Sequence, residues 1–182
     1  MKKFSFVLFL TTFTLLGQNS AKTCEILSKI NALIQSEHYQ PKPLDDSLSV
    51  YVFDTFMDGL DGNRNLFTKT EYENLCKHRL LLDNYILKND CSFMDDFVAQ
   101  YQMALERKKK VLEKIQNEVL DYNTNDSVKF SKKSFPFDLV ATDFERVWKK
   151  RVRYDILEDI SKLSSNLDSI TPHFAKLEKT SK

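Results

Sequence analysis

The sequence predicts an all-α domain of about five helices in an irregular bundle, two of them long, preceded by a cleaved signal peptide. Apolar residues recur at intervals of three and four positions along most of the chain, which is the spacing of one face of an α-helix. With only 3 Gly and 4 Pro in 182 residues, the chain lacks the frequent turns of a β-sandwich. Hydrophobic residues make up 42% and charged residues 29% of the sequence, which is ordinary for a soluble domain with its own core.

The first 21 residues have the pattern of a secretory signal peptide. A short positive region precedes an apolar run over residues 4–16, and small or polar residues follow. A transmembrane helix needs about 20 apolar residues, so this run is too short to span a bilayer. We expect residues 1–21 to be removed on export, with a cut after Gly17 or Gln18 as the alternative. Residues 22–182 are then expected to form one helical domain without an integral membrane span.

The first helix is expected to begin after a cap at Thr23 and to run to about Glu37. Its apolar positions form one regular stripe, made of Ile26, Leu27, Ile30, Leu33 and Ile34. Pro41 and Pro43 then hold the backbone in extended geometry, so no helix continues through this segment.

A second helix is expected over about residues 46–60. Asp45 and Asp46 stand at its start, where a carboxylate accepts unpaired backbone N–H groups and suits the positive end of the helix dipole. A catalytic carboxylate pair is the alternative, but adjacent residues at a helix start point in different directions and capping accounts for both. The oxygen-rich segment after this helix does not fit a calcium-binding EF-hand loop, because Leu66 and Tyr72 stand where such a loop needs Gly and Glu.

Two capping patterns open the next helices. Thr68 with Glu71 forms a capping box before a third helix that reaches about Lys88. Ser92 precedes a fourth helix over about residues 93–120, which contains neither Gly nor Pro. At 1.5 Å per residue this fourth helix spans about 42 Å, which is long enough to scaffold a whole domain.

The irregular stretch of the chain covers residues 121–141, and its phenylalanines are expected to pin it to the helices as an ordered loop. These are Phe130, Phe135 and Phe137. Thr142 with Glu145 forms a second capping box before a final long helix, which Pro172 interrupts. Trp148 lies in the apolar register of this helix, which favours a place in the core over one on a contact surface.

Three cysteines follow the signal peptide: Cys24, Cys76 and Cys91. In an oxidising compartment one pair can form a disulfide, and Cys76 with Cys91 is the expected pair because the two flank one predicted helix. The odd number of cysteines favours the alternative, in which all three are free thiols or small apolar residues.

Three sequence blocks stand in a distinctive order and spacing. The first block contains a segment with two prolines, an acidic helix start, an F-D pair and an L-D-x-x-R-x-x-F element. The second block is a helix over residues 97–108 with the pattern F-x-x-x-Y-x-x-x-L-E-R-K. The third holds Pro136 and then a basic helix that contains a tryptophan. The positions that define the pattern are His38, Tyr39, Pro41, Pro43, Leu44, Asp45, Asp46, Phe53, Asp54, Leu60, Asp61, Arg64, Phe67 and Trp148.

Together these blocks resemble the N-terminal region of the tail-specific proteases, also called carboxy-terminal processing peptidases of the periplasmic type. The resemblance covers roughly residues 24–160. The family usually has Pro after the L-D pair and Tyr before the Phe of the L-D-x-x-R-x-x-F element, whereas this chain has Gly62 and Leu66.

The resemblance implies export to the periplasm of a Gram-negative bacterium and a role in proteolysis. In that family a serine nucleophile and a lysine general base cut the substrate, after a PDZ domain that grips substrate C-termini, and both lie beyond the region matched here. None of the family's catalytic residues carries over to this chain, so no activity is expected from it alone. The expected partners are proteins: the protease and PDZ portion, an adaptor, or a polypeptide substrate.

Three functional hypotheses follow. The chain is the non-catalytic helical module of a larger peptidase, where it acts in scaffolding, as part of a substrate cradle or in adaptor docking. Alternatively, it is a free-standing exported module for protein interaction. The third hypothesis is an independent hydrolase with an unrecognised site, for which the sequence offers no pattern.

No cofactor or metal site is expected. His38, His78 and His173 lie far apart, without the spacing of a metal-binding motif. The basic runs at residues 107–110 and 149–153 lie among acidic residues, which favours an ion-paired helix surface over a nucleic-acid interface. A net charge of +1 gives no global field that points to nucleic acid or to an anionic membrane.

Overall fold

The computed structural model describes residues 20–128, 136–163 and 166–181. Every regular element within these ranges is a helix, which confirms the all-α class. The helices are α1 (Ser20–Glu37), α2 (Asp46–Leu60), α3 (Lys69–Cys76), α4 (Leu82–Lys88), α5 (Ser92–Gln116), α6 (Phe144–Leu163), α7 (Leu167–Ile170) and α8 (Phe174–Ser181). Short 3-10 turns at Ala141–Asp143 and Thr171–His173 precede α6 and α8. Residues 1–19 of the predicted signal peptide lie outside the described residues, as do Phe130 and Phe135.

The described residues form seven helices of seven residues or more, rather than about five. The predicted third helix is two helices, α3 and α4, separated by a tight turn. In this turn the N–H groups of His78, Arg79 and Leu81 donate to carbonyls three residues earlier, at 2.9–3.0 Å, and such bonds tighten the backbone and end the α-helical pattern. The predicted final helix ends at Leu163, and α7 and α8 follow as separate short helices.

Helix α2 has the predicted bounds and the predicted cap. The Asp45 carboxylate accepts the N–H of Leu48 at 2.9 Å, while Asp45 itself has extended backbone geometry. Phe53 and Met57 are buried on the inner face of this helix. Asp45 is therefore the capping residue of α2, as its position predicts.

Helix α5 joins two hydrophobic clusters. Between its N-terminus and its middle it contributes Phe97 and Ala104 to a first cluster, whose other buried members are Phe53, Met57, Leu66, Phe67, Leu75 and Leu82. Near its C-terminus it contributes Ile115 to a second, whose other buried members are Leu120, Leu139, Phe144, Trp148, Ile156, Ile160 and Ile170. Because α5 has 25 residues, it spans about 38 Å. One helix therefore carries both cores.

A disulfide joins Cys24 in α1 to Cys91 at the start of α5, with a Cα–Cα distance of 5.8 Å. Cys76 is a free thiol. The predicted Cys76–Cys91 pair and the alternative of three unpaired cysteines are therefore both wrong. Cys76 instead sits at the end of α3, packed against the first hydrophobic cluster, while α1 returns to the body of the domain and brings Cys24 to Cys91. Sequence spacing gave no sign of this long-range approach.

Candidate functional site

The Asp61 carboxylate organises the loop that connects α2 to α3. Asp61 is only 3% exposed. Its Oδ1 accepts the N–H of Asn65 at 2.9 Å, and its Oδ2 accepts those of Leu66 at 3.1 Å and Phe67 at 2.9 Å. Hydrogen bonds to an ionised acceptor are stronger than neutral ones. One buried side chain therefore fixes the path of residues 61–68, which we call the Asp61 loop.

Arg64 occupies the tip of the Asp61 loop in the left-handed backbone region, with φ of 53°. This conformation costs roughly 1–2 kcal/mol in a residue that has a side chain. The Arg64 guanidinium offsets the cost, because it donates to the carbonyl of Asp61 at 2.6 Å and forms an ion pair with Asp58. It also lies over the Phe137 ring, 4.0 Å from the centroid. Both the backbone conformation and the side-chain contacts of Arg64 thus help to define the shape of the loop.

Arg107 fastens the Asp61 loop to α5. Its guanidinium donates to the carbonyl of Leu66 and to the carboxylate of Glu71, each at 2.8 Å. The same group lies over the Phe144 ring of α6, 4.5 Å from the centroid. Burial raises the pKa of Glu71, but the bonds from Arg107 and from the Thr68 backbone outweigh it, so this pKa lies below its ordinary value. Glu71 therefore stays ionised and bridges α3 to α5.

Trp148 fastens the same loop to α6. Its indole Nε1 donates to the carbonyl of Asn65 at 2.8 Å, and the side chain is buried within the second hydrophobic cluster. Lys108 of α5 lies over the indole ring, with its Nζ 4.4 Å from the centroid. Trp148 is thus a core residue whose polar atom is satisfied by the loop, which agrees with the expectation from its apolar register.

The segment at residues 136–140 contacts both α3 and the Asp61 loop. The Phe137 ring stacks on Tyr72 with centroids 3.9 Å apart. The carbonyl of Leu139 accepts the N–H of Lys69 at 2.8 Å. Phe137 therefore pins this part of the connection to the helices, as its aromatic character predicts.

The comparison with known proteins identifies the family. A family model described as the tail-specific protease N-terminal domain matches residues 30–182. The chain belongs to this family. A curated relative, the tail-specific protease of Haemophilus influenzae, is 26% identical over 126 residues, which are 68% of this chain and 18% of that protein. The chain thus spans less than a fifth of the length of that relative.

The structure brings together some of the positions that carried the resemblance to tail-specific proteases and separates others. Asp61, Arg64, Phe67 and Trp148 converge at the Asp61 loop, and Phe53 lies in the adjoining core. The remaining motif positions belong to the α1–α2 connection and to α2 with its cap. His38, Tyr39, Pro41, Pro43 and Leu44 belong to the connection between α1 and α2, while Asp45 and Asp46 start α2 and Leu60 ends it.

Asp54, the acidic residue of the F-D pair, has a separate role in this tail-specific protease domain. Its two oxygens accept the Nε and NH2 groups of Arg79 at 2.8 and 2.6 Å. Such a two-point bond fixes both the distance and the orientation of the partners. Asp54 therefore ties α2 to the turn between α3 and α4.

Sequence reasoning missed the role of Arg107, which had been assigned to an ion-paired surface run. Its charge was visible, but its partners lie 36 and 41 residues earlier in the chain, and helical spacing gives no access to such contacts. The run at residues 149–153 does form surface ion pairs: Lys149 with Glu118 and Glu145, Lys150 with Asp126, and Arg153 with Asp126.

A buried polar pair between α2 and α4 was also missed. The Ser49 hydroxyl donates to the Asp83 carboxylate at 2.8 Å and accepts the N–H of Asp83 at 2.9 Å. Because both residues are buried, each satisfies the other's hydrogen-bonding groups. The pair joins two helices, and a sequence signal for it would have been a serine on the inner face of a helix.

The described residues offer little for catalysis or metal binding. Among residues 20–128, 136–163 and 166–181, no group of three or more His, Cys, Asp or Glu side chains is placed to hold a metal ion. His78 is buried between Tyr85 and Asp96, at 2.9 and 3.0 Å. Burial raises the pKa of the Cys76 thiol, which keeps it protonated and weakens it as a nucleophile. The contacts of the Asp61 loop with Arg107 and Trp148 hold this loop to α5 and α6.

Proposed function

We propose that this domain is the non-catalytic N-terminal helical module of a periplasmic tail-specific serine protease. There it acts as a scaffold for the catalytic and PDZ regions and helps to form the substrate cradle or an adaptor-docking surface. The observation that carries the proposal is the family match over residues 30–182, combined with a relative of which the match covers only 18%. The remaining length of such a relative is where the proposal places peptide-bond cleavage.

The Asp61 loop supports a scaffolding role. A scaffold can hold other domains in fixed positions only when its own elements do not shift relative to one another. Through Arg107 and Trp148 this loop is bonded to α5 and α6, and it connects α2 directly to α3. The Asp61 loop thereby holds four helices together. A fixed support for other domains needs this kind of rigidity.

The proposed partners are proteins, and the proposed location is the periplasm. The leader-like pattern at residues 1–21 supports export, and so does the Cys24–Cys91 disulfide, because disulfides form and persist in oxidising compartments. Along the described part of the chain, none of the helices combines the length and the apolar character needed to cross a bilayer.

A free-standing exported interaction module remains the second candidate. The observation that favours it is the apolar stripe of α1, whose side chains are about half exposed. Such a stripe on a stably attached helix is a feature of interaction surfaces. The two candidates differ in whether catalytic regions accompany this domain.

The coding DNA downstream of Lys182 separates these candidates. A PDZ-like segment and a Ser/Lys dyad, even out of frame, support the module of a protease. A stop codon without such a remnant supports the free-standing alternative and contradicts our proposal.

A peptidase assay tests the division of labour. We expect this chain alone to leave an unfolded substrate with an apolar C-terminal tail intact, and the polypeptide that also carries the catalytic regions to cleave it. Asp61→Ala in that longer polypeptide is expected to lower kcat/KM at least about tenfold, because the scaffold loosens, whereas Asp138→Ala, an exposed carboxylate nearby, leaves it unchanged. Turnover by this chain alone that a point substitution within it abolishes would contradict the proposal.

A further inference from the structure

Helix α1 presents its apolar side chains to solvent. Ile26, Leu27, Ile30, Leu33 and Ile34 are each between 43% and 62% exposed. At 100° per residue these five positions fall within an arc of about 120°. They therefore form one continuous apolar stripe, and the helix has the pattern of an amphipathic helix whose partner surface is elsewhere.

The domain holds α1 by the opposite face. Cys24 is buried and bonded to Cys91, and the Ser28 hydroxyl donates to the carbonyl of Ile86 in α4 at 3.1 Å. Residues four apart lie on the same side of a helix, and on the helical projection Cys24 and Ser28 lie roughly opposite the stripe. A covalent bond and a hydrogen bond thus fix α1 with the stripe turned outwards.

Opposite charges mark the two ends of the stripe. Lys22 is exposed at its N-terminal end and Glu37 is exposed at its C-terminal end. On the helical projection Glu37 falls within the arc of the stripe, and Lys22 falls about 20° outside it. Lys22 stands eight residues before Ile30 and Glu37 stands seven residues after it, so the charges are almost symmetric about Ile30.

These features describe the partner. It must offer an apolar stripe of the same length, with a negative group opposite Lys22 and a positive group opposite Glu37. A second copy of α1, turned antiparallel about a two-fold axis at Ile30, supplies all three. Its helix dipole also opposes that of the first copy, which is favourable for paired helices.

We propose that the α1 stripe is a homodimerisation surface, in which α1 of one copy packs antiparallel against α1 of a second copy. Ile30 lies on the two-fold axis, the other four apolar residues pack around it, and Lys22 of each copy pairs with Glu37 of the other. The same patch then contacts itself, as in most homodimers. This inference stands whether or not the domain serves a protease.

The test is sedimentation equilibrium of residues 22–182, without the predicted leader, purified with the Cys24–Cys91 disulfide formed and measured over a broad range of concentrations. The wild-type chain is expected to reach the mass of a dimer. Ile30→Glu places two carboxylates on the axis and is expected to raise the dimer dissociation constant at least about tenfold. The control Val119→Glu, at a site that is 98% exposed beyond α5, is expected to dimerise as the wild type does.

Charge reversal tests the antiparallel arrangement without replacing an apolar residue, so it avoids a substitution that could affect folding. Lys22→Glu and Glu37→Lys are each expected to weaken the dimer, because each brings like charges together at both ends. The double variant is expected to restore wild-type association. A monomeric wild type, an Ile30→Glu variant that dimerises normally, or a double variant weaker than both single variants would overturn the proposal.

Discussion

Arg64 shows how one residue can contribute through its backbone and its side chain at once. Its left-handed φ of 53° favours glycine, yet its guanidinium is buried and bonded to Asp61 and Asp58. The contacts of the side chain with the Asp61 carbonyl, Asp58 and the Phe137 ring offset the strain of the backbone. In this chain the arginine of the L-D-x-x-R-x-x-F element therefore shapes the Asp61 loop.

We expect Arg64→Ala to be less stable than Arg64→Gly by about 1 kcal/mol. Both variants lose the guanidinium contacts, but only alanine retains the strain of a positive φ. At Arg107, which lies within α5, the order is expected to reverse, because glycine costs up to about 1 kcal/mol relative to alanine inside a helix. Urea unfolding of the four variants measures both differences. Equal stability of the two Arg64 variants would show that the left-handed conformation is wrong.

Glu71 predicts a specific pH dependence. Burial opposes its ionisation, but the bonds from Arg107 and Thr68 set its pKa below the ordinary value of 4.5. A lowered carboxylate pKa contributes stability that is complete above about pH 4.5 and is lost as the pH falls through the lower, folded value. We expect the advantage of the wild type over Glu71→Gln to shrink on acidification from pH 5 to pH 3, with unfolding midpoints as the measure.

A neighbouring residue serves as the control for Glu71. Glu73 lies in the same helix, 59% exposed, with Lys69 at 3.8 Å, and surface ion pairs contribute little. Glu73→Gln is therefore expected to follow the wild-type pH profile. If Glu71→Gln does so too, the Arg107–Glu71 bond does not stabilise the folded state.

At the scale of elements, local sequence signals placed the starts of α2 and α3 well and long-range contacts poorly. The helix starts predicted from Thr23, Ser92 and Thr142 are wrong, because these residues lie inside α1, at the first position of α5 and in the 3-10 turn before α6. The Asp45 cap and the bounds of α2 were predictable, because a cap is a property of four consecutive residues. The split between α3 and α4 was not, since apolar spacing continues through the turn and His78 is fixed there by Tyr85 and Asp96.

The Asp61 loop and its contact with Arg107 were only half predictable. Its motif residues Asp61, Arg64 and Phe67 stood out as a spaced pattern, but Arg107 looked like any cation in a basic helix. What distinguishes Arg107 is the approach of α5 to the α2–α3 loop, and that approach exists only after folding. The outward orientation of α1 was hidden for the same reason, because an amphipathic pattern does not say which face the protein covers.

The attachment of α1 gives a prediction about the disulfide. Peptide mapping without reduction is expected to find Cys24 linked to Cys91, and thiol titration of the unfolded chain is expected to find one free thiol, Cys76. The bond spans 67 positions, so chain entropy alone predicts a loss of about 4 kcal/mol in Cys24→Ser or Cys91→Ser. The Cys76→Ser control keeps the bond and is expected to cost much less. A Cys76–Cys91 peptide would contradict this account.

At the scale of the whole molecule, the two hydrophobic clusters meet at the Asp61 loop. Leu66 and Phe67 belong to the first cluster, and Trp148 in the second donates its indole N–H to the carbonyl of Asn65. With α5 common to both, the clusters are expected to unfold together rather than as separate units. A domain that is rigid across both cores is suited to the scaffolding role proposed within a tail-specific protease.

Hydrogen exchange at the Leu66 and Phe67 amides tests the central claim that a buried loop fastens this domain. Loop amides usually exchange quickly, but these two donate to the buried Asp61 carboxylate at 3.1 and 2.9 Å, so their exchange requires the Asp61 loop to open. We predict that they exchange as slowly as the amides in the middle of α5, whereas the amide of Lys42 in the exposed α1–α2 connection exchanges rapidly. Exchange of Leu66 and Phe67 as fast as that of Lys42 would contradict the account.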